Sequence, residues 1–79
     1  MTKHQSIQAK AVLVERMNAE LRPLGLPLVS SVRRYRKTEW RTVVDWRTET
    51  AENFLRHQEY QAVVKKWLKL FDKSPSEFL

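Results

Sequence analysis

The sequence has no cysteine, a single glycine and only two histidines among its 79 residues. The lack of thiols removes disulfide staples, thiol catalysis and cysteine-ligated zinc together. Gly25 alone cannot build a P-loop or a dinucleotide fingerprint, because both need several glycines for backbone amides to approach phosphate. Of the two histidines, His57 has Glu59 close by in sequence, but residues two apart on a helix point to different sides. His4 lies in an N-terminus expected to fray. Glu39 and Asp45 are the carboxylates a metal-dependent nuclease would use, and on a basic segment they read more simply as partners of neighbouring arginines. The expectation is a protein that is not an enzyme, with no catalytic residue, no metal and no cofactor.

Long apolar runs are missing as well. None approaches the roughly 20 residues needed to span a bilayer. The stretch Met1 to Lys10 lacks the apolar core of a signal peptide. These absences predict a soluble, unprocessed chain with no membrane partner, and the lack of cysteine fits a cytoplasmic address.

What the chain does contain is enough apolar matter to fold. Hydrophobic residues make up 42% of it, with three Trp, three Phe and two Tyr. At this size a fold hides only roughly 60% of its unfolded surface, so the core is thin and a homodimer is one way to thicken it. Residues 1–79 read as one domain. Ile7, Ala11, Val14, Met17, Leu21 and Leu24 recur at steps of three and four, predicting a helix over about 6–22 with Ser6 as its cap and Pro23 and Gly25 as its stop.

Over about 28–48 the pattern changes to period two, clearest in Trp40, Thr42, Val44 and Trp46. Arg36-Lys37-Thr38-Glu39 has the length of a hairpin loop, which sets Tyr35 opposite Trp40, Val32 opposite Val43 and Val29 opposite Trp46. One face then carries Val29, Tyr35, Trp40, Val44 and Trp46. The other carries Arg34, Arg36, Arg41 and Arg47 around Val32 and Val43.

A second helix over about 51–73 follows from Phe54, His57, Tyr60, Val64, Trp67 and Phe71, ended by Ser74-Pro75. Its lysines, Lys65, Lys66, Lys69 and Lys73, complement the helix dipole. The tail beyond it, ending in Phe78 and Leu79, either docks or frays. The predicted fold class is α+β, in the order helix, strand, strand, helix, with an antiparallel hairpin packed against two helices.

Charge gives the one functional signal. Fifteen Lys and Arg against nine Asp and Glu leave a net +6, and residues 26–48 hold six basic residues against only Glu39 and Asp45. The six are Arg33, Arg34, Arg36, Lys37, Arg41 and Arg47. Arginine binds phosphate with a planar fork, whereas lysine acts more as a point charge, so this bias toward arginine fits an anionic partner. Tyr35 and Trp40 are placed to stack on an unpaired base, with Lys66 and Lys69 as secondary contacts.

The expected function is a small basic accessory or regulatory protein that binds nucleic acid, DNA or RNA, through phosphates. The alternative is a protein-binding module, such as an inhibitor or adaptor of the phage or mobile-element kind, docking on an acidic protein surface. A solvated strand face that merely resists aggregation explains the alternation equally well, but it predicts more balanced charge.

Overall fold

A computed structural model of the protein describes residues 2–36, 39–44 and 56–79, and for residues 34–36, 39–41, 43 and 44 it describes the backbone alone. Thr2 opens the first helix, α1 (Lys3–Leu21), through a capping box. The Thr2 hydroxyl accepts the Gln5 amide at 3.1 Å, and the Gln5 side-chain oxygen accepts the Thr2 amide at 3.0 Å. Two of the helix's orphan donors are thereby satisfied. This corrects the expected start at Ser6, whose own amide is already bonded to the Thr2 carbonyl.

Past Leu21 the chain tightens into a 3-10 turn, Arg22–Leu24, and Gly25 follows with φ 69°. The left-handed conformation is open to glycine without a Cβ penalty. It lets the Leu26 amide turn back onto the Leu21 carbonyl at 3.2 Å. Arg56, at the start of the last described segment, locks the same corner by donating to the Leu24 carbonyl at 2.6 Å and to Glu59 at 2.7 Å. That hydrogen bond with Arg56 holds the Glu59 carboxyl below its ordinary pKa, helped by the guanidinium charge.

Strand β1 (Val29–Arg36) pairs antiparallel with β2 (Glu39–Val44). The second long helix, α2 (His57–Lys73), gives way at Ser74 to a 3-10 turn, Pro75–Phe78. Helices thus dominate the described residues, which pack around one core. Ala9, Leu13, Met17 and Leu21 of α1 meet Leu26, Val29 and Val32, and then Tyr60, Val63, Val64 and Phe71 of α2.

Phe78 completes this core from the C-terminal turn, fully buried, with its ring centroid 5.3 Å from Phe71 and 6.3 Å from Trp67, both edge-on. The Arg16 guanidinium covers its other side at 4.7 Å, and Arg16 also donates to the Glu77 carbonyl. The tail docks.

The expected stripe of α1 holds only in its second half. Met17 and Leu21 are buried, but upstream the helix buries Ala9 and Leu13 and leaves Ile7 60% exposed. Ala9, Leu13, Met17 and Leu21 form one i, i+4 ridge, the kind that interlocks with neighbouring elements. The sequence carries a second apolar row beside it, and contact with both β1 and α2 selects the first. On α2 the expected Tyr60, Val64 and Phe71 are buried, while His57 is exposed beside Gln61 and the Tyr60 ring. The start of that helix at 51 and Phe54 lie outside the described residues. No helix among the described residues is long and apolar enough to cross a membrane.

Lys66 reaches across from α2 to Glu20 of α1, at 2.6 and 2.8 Å. Their side chains are 57% and 36% exposed, so water screens most of the attraction. Lys66→Ala is expected to change unfolding stability by less than about 1 kcal/mol in a denaturant titration.

Candidate functional site

Residues opposite one another in an antiparallel ladder share a face, and successive rungs alternate. Val32 pairs with Thr42. Val32 is buried, and the Thr42 hydroxyl lies 3.0 Å from the Tyr60 hydroxyl of α2. This rung faces the helices.

The neighbouring rung sets Arg33 opposite Arg41 in the backbone register. Arg33 is exposed, and among the described side chains no carboxylate pairs with it. Like charges directly opposite in a ladder are destabilising where nothing offsets them.

The register differs from the expected one, and the difference redistributes the arginines. Val29 pairs with Val44 and Ser31 with Val43, so β1 places two residues against one step of β2. That irregularity at Ser30 flips the phase of β1, which is why Val29 and Val32, three apart, are both buried. Val32 belongs to the core and not to a basic face.

In the backbone register Arg34 pairs with Trp40 and Arg41 with Arg33, and the expected grouping of the Arg34 and Arg41 side chains on one face lies outside the described residues. Tyr35 is not opposite Trp40, but sits at a second irregularity between Arg34 and Arg36. Arg36 pairs with Glu39, which brings an acidic residue opposite it and leaves two residues between them instead of four in the loop. Lys37, Asp45, Trp46 and Arg47 lie outside the described residues.

The secondary contacts part company in the same way. Lys66 already holds Glu20 and lies 5.3 Å from the Trp67 ring centre. Lys69 is exposed on α2. No group of three His, Asp or Glu side chains converges among the described residues, and Glu59 is held by Arg56, away from any acid/base partnership with His57. The arrangement offers fixed positive charge and hydrogen-bond donors.

Sequence reasoning missed a polar device behind this face. The Asn18 side chain accepts the Val29 amide at 2.7 Å and donates to the Val29 carbonyl at 2.9 Å, pinning the start of β1 to α1. An asparagine inside a helix on the border of an apolar stripe was the available signal. No known protein family, curated protein or solved structure matches the chain.

Proposed function

We propose that this is a small, non-enzymatic, basic binding protein of the cytoplasm that contacts the phosphates of a nucleic acid through the arginines of its paired strands. The reading takes the fold as α+β, a hairpin backed by both helices, and it takes Arg33 and Arg41 as the primary contacts. Arg34, Arg36, Lys37 and Arg47 supply the surrounding positive charge. One observation carries it: an exposed arginine set opposite a second arginine in the register, with no carboxylate beside it among the described side chains. A bound phosphate would convert that repulsion into two charge-assisted contacts, each worth about 1.5–3 kcal/mol. Contact of this kind positions the backbone of the nucleic acid and reads little sequence.

The test is a double reversal, Arg33→Glu with Arg41→Glu, read by fluorescence anisotropy against a labelled DNA duplex and a single-stranded RNA at several salt concentrations. The expected result on the duplex is a loss of roughly tenfold or more in affinity. The slope of log affinity against log salt should also become shallower by about two, since each phosphate contact contributes about 0.9. Unchanged affinity for both probes would sink the proposal. If, in addition, a stoichiometric protein stayed bound through nuclease treatment, an acidic protein surface would take the place of phosphate.

A further inference from the structure

The second apolar row of α1 touches the core only at Val14 and leaves Ile7 and Ala11 exposed, and it is not idle. Ile7, Lys10, Ala11 and Val14 line a groove of about 360 Å³ whose other wall is Ser30–Val32 of β1. The groove is lined mainly by carbon, it is open to solvent, and no carboxylate lines it. Lys3 lies on the same helical row one turn before Ile7, at spacing i, i+4, and is exposed.

The strand wall is an edge. Among the described residues β1 pairs with β2 on one side only, in a sheet of two strands. On the other side the Asn18 amide occupies both backbone groups of Val29, donating to the carbonyl and accepting from the N–H as a neighbouring strand would. Just past this cap, Ser30–Val32 lie directly beside the apolar shelf of α1.

We infer that this groove binds an extended acidic segment of another protein, added as a strand along β1 with its alternate apolar side chains on Ile7, Ala11 and Val14. Strand addition draws affinity from main-chain hydrogen bonds and specificity from pockets for every second side chain, and an edge beside an apolar shelf supplies both. Charge selects the occupant. The lining contributes no acid, Lys3 stands exposed at the end of the same helical row, and the whole chain carries +6, so acidic residues at the intervening positions are favoured and basic ones are repelled. A second copy of this chain fits badly. With Val29 already capped, antiparallel pairing of β1 with itself must centre within Ser31–Arg36, bringing Arg33, Arg34 and Arg36 of the two copies against one another. The site lies on α1 and the free edge of β1 and does not depend on phosphate binding at the Arg33–Arg41 rung.

The experiment is selection of randomised twelve-residue displayed peptides on the intact protein, followed by synthesis of the most enriched peptide. The expected winners alternate apolar and acidic residues. The synthetic peptide is expected to lose tenfold or more in affinity on Ile7→Asp, a variant whose melting temperature should match the parent because Ile7 is largely exposed. N-methylation of alternate amides in the peptide should abolish binding, which identifies the backbone edge as the contact. No enrichment, winners with apolar residues every third or fourth position, or equal binding by Ile7→Asp would each overturn the inference.

Discussion

Phe78→Ala is expected to destabilise the protein by about 3–5 kcal/mol, enough to lower its thermal midpoint by on the order of 20 °C. Phe78 is fully buried although it is the last residue but one, and it sits where three side chains from two helices converge: Phe71, Trp67 and Arg16. Removing the ring leaves a cavity that the short turn Pro75–Phe78 cannot refill, because that turn has no other buried side chain. A domain of this length has about 4–12 kcal/mol of stability in total. One substitution in a nominal tail should therefore consume a large share of it.

Thermal unfolding followed by circular dichroism checks this, and a midpoint lowered by less than about 5 °C would show that the turn does not dock in solution. A compensating test uses Phe78→Leu, which keeps most of the apolar volume while losing the edge-on ring contacts. It should fall between the parent and Phe78→Ala.

The anchoring of the tail could not be read from the sequence, since two terminal apolar residues after a proline dock and fray with equal ease. Other features were legible for identifiable reasons. The apolar spacing of Tyr60, Val64 and Phe71 is long and regular enough to mark α2 and its buried side, and Ser74-Pro75 cannot continue a helix. On α1 the same logic succeeded in finding the helix and failed in choosing its ridge. Ile7, Ala11 and Val14 look as apolar as Ala9 and Leu13, and only the surrounding elements decide between them.

The register was out of reach for a different reason. Ser30 carries no glycine or proline mark that would announce an irregular step, yet its extra residue reverses which half of β1 faces the helices. The cluster of arginines was therefore visible as composition, while the opposition of Arg33 to Arg41, the feature the phosphate reading rests on, required the pairing itself. Thr2 and Gln5 are the opposite case, because a Thr-x-x-Gln pattern before a helix states its own geometry.

Asn18→Ala is the second substitution with a large expected effect, about 2–5 kcal/mol, and its cost falls on the strand and not on the helix that carries it. Val29 is only 2% exposed, and the Asn18 amide satisfies both its N–H and its carbonyl. Truncation strands two buried backbone groups at once, each costing about 1–3 kcal/mol. The helix itself gains slightly, since alanine is the better helix former. The net loss therefore reports on β1.

Hydrogen exchange gives the local readout, with the Val29 amide expected to lose its protection beyond what the global destabilisation accounts for. Asn18→Asp sharpens the assignment. Its carboxylate still accepts the Val29 amide but has no proton for the carbonyl 2.9 Å from the native donor, so near neutral pH it should destabilise almost as much as alanine. Protonation restores a donor, which raises the folded-state pKa of the introduced carboxyl above its unfolded value near 3.9. The stability recovered relative to the parent should accordingly be complete below about pH 3.9 and should disappear as pH rises through the folded-state value. A stability gap between Asn18→Asp and the parent that stays constant from pH 3 to pH 7 would mean that the Val29 carbonyl is not held by this side chain.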